Sequence, residues 1–184
     1  MSAWHANCCY RRETSQPYSR RAYAERNLVL KIEYMEPFVE AACSVLRRIS
    51  GGRAEPGRLG LLGTMFPTAC VNIAARVSGN LQGDVVYSMS SRTAQKLAEL
   101  LTGAEAHGFG RLTGSGLVQL GDLLARETGC LLSRTGLNCE ISGPTVFQGL
   151  NVEFSAAAPA LAVSVNTDAG QVDINLAVSN GQQG

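Results

Sequence analysis

The chain has no excess of charge of one sign: across its 184 residues, 16 Lys and Arg stand against 15 Asp and Glu. Such a balance offers no broad positive field for a phosphate backbone, which argues against nucleic acid as a partner. There is also no run of the roughly 20 apolar residues that a membrane-spanning helix needs, so no membrane partner is expected. Residues 1–34 lack the central apolar run of a signal peptide, and the expected location is cytoplasmic. Among Cys8, Cys9, Cys43, Cys70, Cys130 and Cys139 there is no CxxC pair, and no His stands at ligand spacing. A metal site is therefore not expected, nor a cofactor of the chain's own, and free thiols fit a reducing compartment. A phosphate loop is missing too. Gly57, Gly60 and Gly63 recur at every third position without a strand before and a helix after, and Gly114-Ser115-Gly116 lacks a third glycine.

What is present is a hydrophobic fraction of 45%, enough for one well-buried core. The first 34 residues stand apart, with six Lys and Arg against three Glu and no sustained apolar period before Leu28. They read as an N-terminal extension, residues 1–34, ahead of a domain spanning 35–184, with a second start plausible at Met35. From there Met35, Phe38, Val39, Ala42, Val45, Leu46 and Ile49 form a helical stripe. Pro37 suits the first turn, and Gly51-Gly52 supplies a left-handed stop. Within that helix Cys43 counts as a small buried hydrophobe.

Gly51 to Pro67 reads as a connection. Thr68–Val77 and Gly83–Met89 are rich in β-branched residues and flank a Ser78-Gly79-Asn80 turn, the pattern of a hairpin. Ser90 or Ser91 can cap a helix whose apolar face is Ala94, Leu97, Ala98 and Leu101, ending at Gly103. After Gly136 the period becomes two, in Val152, Phe154 and Ala156 and again in Val172, Ile174, Leu176 and Val178. Asn166 to Gly170 carries the turn between the last two strands. The expected fold class is α+β, a layered domain with a long antiparallel sheet packed against helices.

One further helix carries the polar pair of interest. At about 100° per residue, Ser115, Gln119, Asp122, Arg126 and Ser133 fall on one side, with Leu117, Leu120, Leu124, Thr128, Leu131 and Leu132 on the other. Gln119 and Asp122 thus share an outward stripe, where an acid beside an amide can orient a water or grip a partner. The plain alternative is an intrahelical ion pair from Asp122 to Arg126, worth a few tenths of a kcal/mol.

Three patterns in order resemble the bacterial chemotaxis phosphatases CheC and CheX, most closely CheX. They are the segment GDVVYSMSSRTAQKLAELLTG from Gly83 to Gly103, the helix with Gln119 and Asp122, and ISGPTVFQG from Ile141 to Gly149. The similarity spans roughly Met35 to Val178. The resemblance implies a CheC/CheX-like fold, and a partner that is a phosphorylated response regulator, a CheY-type receiver domain whose aspartyl phosphate is hydrolysed. In that family a Glu-x-x-Asn pair does the work: the Asn positions the attacking water and the Glu contacts a receiver lysine. The receiver supplies the nucleophilic Asp and the Mg²⁺. Here Gln119 stands for the Glu and Asp122 for the Asn. An ionised Asp122 donates no hydrogen bond and carries charge towards an anionic phosphoryl group. Phosphatase activity and a non-catalytic binding or structural module of the same fold therefore both stay open, beside an unrelated α+β enzyme with a small-molecule site. The resemblance also implies a homodimer built through shared β-strands, with the alternating strands near the C-terminus as the pairing elements.

Overall fold

The computed structural model describes residues 32–105 and 110–181. The Cys8-Cys9 pair and the extension up to residue 31 lie outside the described residues. A 3₁₀ turn, Ile32–Tyr34, leads into α1 (Glu36–Ser50). Pro37 sits in the first turn of α1, and the helix ends where Gly51 takes φ 65°, its N–H bonded to Arg47 O. Phe38, Ala42, Val45 and Leu46 on its inner stripe are fully buried. Ahead of the helix, Tyr34 is itself buried and donates its hydroxyl to Asn180 Oδ1 at 2.6 Å.

Strands β1 (Ala54–Leu61), β2 (Met65–Pro67), β3 (Val71–Gly79) and β4 (Leu81–Met89) follow. Then come α2 (Ser91–Thr102), α3 (Arg111–Arg134), β5 (Cys139–Ile141), β6 (Thr145–Gln148), β7 (Glu153–Ser155), β8 (Leu161–Thr167) and β9 (Gly170–Asn180). The main sheet runs β1-β8-β9-β4-β3, and β5 and β6 both pair with the outer edge of β3. Every pairing is antiparallel.

On one face of the sheet, apolar residues line up across strands. Ile73, Tyr87, Ile174 and Val163 form one row, and Ala75, Val85, Leu176 and Leu161 another. All three helices cover that face, joining Leu97 of α2 and Leu117, Leu120, Leu124 and Leu132 of α3 to the same core. The opposite face carries a smaller cluster, in which Phe66 of β2 packs with Ala160 and Ala177. The Phe66 ring lies 5.6 Å from that of Phe154 across the β2–β7 ribbon. Beside this cluster the buried Ser88 hydroxyl bonds Asn72 Oδ1 at 2.6 Å, and Asn72 Nδ2 donates to Ala69 O, so these buried polar groups find partners.

Two expectations need correction. Gly51 to Pro67 is more than a connection: β1 and β2 lie within it. β1 is an edge strand held by β8 on one side, with a register shift between Pro56 and Leu59, and only Ala54 in it is buried. An edge strand tolerates proline and glycine because one row of its backbone groups is left unpaired, and it leaves no apolar alternation to read. The second correction concerns the strands near the C-terminus. Of the two alternating segments, the second forms β9, which lies between β8 and β4 and has no free edge for a partner strand, while the first forms β7, paired with β2 alone. The open edges of the main sheet are β1 and the β5–β6 side.

Candidate functional site

Ser90 begins α2 as its N-cap, accepting the N–H of Thr93 at 3.1 Å. α2 in turn supports α3: a Cβ on Gly116 would stand 2.9 Å from Ala98 Cα, so the two helices approach to backbone distance there. Five residues on, a Cβ on Gly121 would stand 2.5 Å from Pro144 Cβ and 2.9 Å from Ile73 Cγ2. Only glycine lets the helix sit this close to the sheet and to the Pro144 corner. Gln119 lies between these two close approaches.

Toward α1, Glu127 holds the third side. It accepts a hydrogen bond from Ser44 Oγ at 3.4 Å and pairs with Arg48 at 3.8 Å. Half-exposed contacts of this length add little stability, on the order of 0–1 kcal/mol, but they turn Glu127 away from the outer stripe. Beneath α3, Thr128 is fully buried and its hydroxyl has no hydrogen-bond partner. It faces Tyr87 outside bonding geometry. Burial pushes the Tyr87 phenol well above its ordinary pKa, and the nearby Thr128 hydroxyl opposes this weakly.

The stripe expected from the sequence is the one observed. Ser115, Gln119, Asp122, Arg126 and Ser133 are exposed, while Leu117, Leu120, Leu124, Thr128 and Leu132 are buried and Leu131 is half-buried. Neither Gln119 nor Asp122 makes a side-chain hydrogen bond or ion pair with another described residue. The Asp122–Arg126 pair, the plain alternative for this carboxylate, is therefore not formed. Both side chains project from a rigid helix with their polar atoms uncommitted.

The main cavities among the described residues lie elsewhere. A groove of about 1130 Å³ runs between α1 and β1, and two smaller cavities lie by the end of α2 and by Cys139; none is lined by Gln119 or Asp122. Small-molecule sites are concave and enclose their ligand. An exposed, uncommitted helix face suits a macromolecular partner that brings its own pocket. Among the described residues no group of His, Cys, Asp and Glu is placed to hold a metal ion, and no helix is long and apolar enough to cross a membrane. Sequence reasoning missed the contact of Pro144 with Gly121, although both residues stood in the patterns it had singled out.

No family model matches the chain. The CheY-P phosphatase CheX of Thermotoga maritima is 26% identical over 107 residues, which are 57% of this chain and 69% of that protein. Among solved structures, a chemotaxis protein CheX from Desulfovibrio desulfuricans aligns with a TM-score of 0.73 at 18% identity, covering 80% of this chain and all (100%) of its own. A chain of the CheX–CheY–BeF3–Mg²⁺ complex from Borrelia burgdorferi aligns with a TM-score of 0.65 at 24% identity, covering 82% of this chain and 100% of its own. The layered α+β architecture is common to this chain and the two solved structures.

Proposed function

Since the chain is a CheC/CheX-like protein, we propose that it binds a phosphorylated CheY-type receiver through the outer face of α3 and promotes hydrolysis of the receiver's aspartyl phosphate. The observation that carries this reading is the placement of Gln119 and Asp122. By the resemblance they correspond to the family's working pair, and they lie on a helix braced on three sides, exposed and without side-chain partners among the described residues.

The proposed chemistry is positioning. Phosphoryl transfer through a loose transition state gains most from alignment and charge neutralisation, and little from covalent help. In this reading the receiver brings the phosphorylated Asp and its own Mg²⁺, and the chain needs no cofactor. Gln119 accepts a hydrogen bond from a receiver lysine. Without charge assistance that contact is weaker by about 1 kcal/mol. Asp122 enters the phosphoryl site, where its carboxylate accepts a hydrogen bond from the attacking water.

A second reading is favoured by Asp122 alone: the chain holds the phosphorylated receiver and hydrolyses it slowly or not at all. A carboxylate beside the phosphoryl oxygens repels them and lacks the donor that an Asn amide has. One experiment separates the two. Dephosphorylation of a panel of phosphorylated CheY-type receivers is followed with wild type and with the double change Gln119→Glu, Asp122→Asn. Acceleration by wild type supports the phosphatase. Acceleration by the double variant only, or binding by both without acceleration, supports the binding module.

The same reading places the protein in the cytoplasm with its receiver, as a homodimer. Of the open edges of the main sheet, β1 suits a second copy best, since it exposes Leu59 and Leu61, each 41% accessible. Light scattering that returns a monomer at micromolar concentration contradicts the dimer.

A further inference from the structure

The proposed pairing leaves a charge problem, because Asp122 brings a negative charge to an already anionic group. Another residue on the same stripe answers it. Arg126 is exposed, four residues beyond Asp122. By helical geometry its azimuth falls between those of Gln119 and Asp122, and its Cα stands about 6 Å further along the axis than that of Asp122. Asp followed by Arg at this spacing commonly closes an ion pair. Here it does not: the ion pairs among the described residues are Arg48–Glu127 and Arg76–Asp84. The guanidinium is left uncommitted.

The rest of α3 sharpens this. The helix carries two carboxylates, Asp122 and Glu127, and Glu127 is turned to Ser44 and Arg48 of α1. Asp122 is thus the lone carboxylate presented outward on α3, and Arg126 is the cation beside it. Gln119, Asp122 and Arg126 together are neutral, whereas Gln119 and Asp122 alone carry a full negative charge.

Resting on the function proposed above, we infer that Arg126 engages the phosphoryl oxygens of the receiver's phosphoaspartate and offsets Asp122, so that binding depends on the phosphorylated state. A guanidinium suits this role: its planar fork meets phosphoryl oxygens in pairs, and it stays charged at any working pH. An arginine at this place is a binding and positioning residue for the phosphoryl group. On α3 it stands on the C-terminal side of Asp122, and Gln119 stands on the N-terminal side.

The test uses CheY-type receivers in two states, unactivated and loaded with beryllofluoride and Mg²⁺ as the phosphoryl mimic. Affinity is measured by calorimetry for wild type, Arg126→Ala and Arg126→Lys. Arg126→Ala is expected to weaken binding to the loaded receiver about tenfold, as loss of a charge-assisted contact does, and to leave binding to the unactivated receiver within about twofold. Arg126→Lys recovers part of the loss, since it restores charge without the fork. The inference is overturned if Arg126→Ala binds the loaded receiver like wild type, or if it weakens both states equally, which marks general attraction only. Wild type that binds no loaded receiver in the panel overturns the proposed function itself, and does so before any Arg126 variant is compared. An unchanged thermal midpoint for the exposed Arg126→Ala shows that folding is not what moved.

Discussion

Gly121 of α3 and Pro144 of the β5–β6 corner are in direct contact on the buried side of the helix, and Gly121 stands between Gln119 and Asp122 in the sequence. A Cβ on Gly121 would stand 2.5 Å from Pro144 Cβ and 2.7 Å from Pro144 Cγ. The position of Gln119 and Asp122 relative to the sheet is set at this point.

Gly121→Ala is therefore expected to destabilise the protein. Alanine gains up to about 1 kcal/mol over glycine in a helix interior, but forcing a methyl into a filled site costs roughly 1–3 kcal/mol, and neighbours under 3 Å place this case at the upper end. Gly129, on the same helix, has nothing within 4 Å of its would-be Cβ. Gly129→Ala should raise stability by up to about 1 kcal/mol. Urea unfolding of both variants checks the contrast. Equal effects contradict the contact.

Thr128 offers the opposite case. It buries a hydroxyl with no partner, an arrangement that costs about 1–3 kcal/mol relative to a satisfied one. Thr128→Val keeps the shape and removes the hydroxyl, so stability should hold or rise by up to about 1 kcal/mol. A loss larger than that, measured in the same unfolding assay, means that the hydroxyl does bond Tyr87.

Tyr87 gives the fold an alkaline limit. Burial raises its phenol pKa in the folded state, while in the unfolded chain it ionises near 10. A group whose folded pKa is raised contributes stability below the unfolded pKa and loses it as pH climbs toward the folded one. Stability should fall above about pH 10, by at most about 1.4 kcal/mol per pH unit from this one group. Tyr87→Phe should flatten the dependence between pH 9 and 11, read as urea midpoints. A slope unchanged by the substitution assigns the loss to other groups.

The described cysteines should separate by reactivity. Cys130 is exposed on α3, whereas Cys43 is buried in α1 with its thiol pKa raised by burial, partly countered by Arg47. Thiolate is the reactive form. Iodoacetamide at pH 8, followed by peptide mass spectrometry, should modify Cys130 well before Cys43. Comparable rates show that α1 opens on the timescale of the reaction.

Helices α1 and α2 and the outer stripe of α3 were legible because each pairs an apolar period of 3.6 with an end signal such as Gly51, Ser90 or Gly103. The β3–β4 hairpin was legible from its β-branched runs and turn. β1 was not, since an edge strand that buries only Ala54 carries no alternation and its Pro56, Gly57 and Gly60 read as loop. The alternation of β9 showed that one face is buried but not which strands flank it, because neighbours are chosen by long-range pairing. For the site, the positions came from the resemblance and the stripe. The seating of Pro144 on Gly121 lay beyond reach, as it joins two segments through tertiary packing alone.

That seating depends on very little sheet. β6 holds β3 through four residue pairs, Val71 to Ala74 against Thr145 to Gln148, and the corner before Pro144 is fixed by Ser142, whose N–H and Oγ bond the backbone of Arg76. A short outer strand opens locally at lower free energy than the whole domain. Lifting β6 would carry Pro144 off the helix and leave Gly121 resting on Ile73 alone, so the helix turn that carries Gln119 and Asp122 shares one of its supports with the least-paired edge of the sheet.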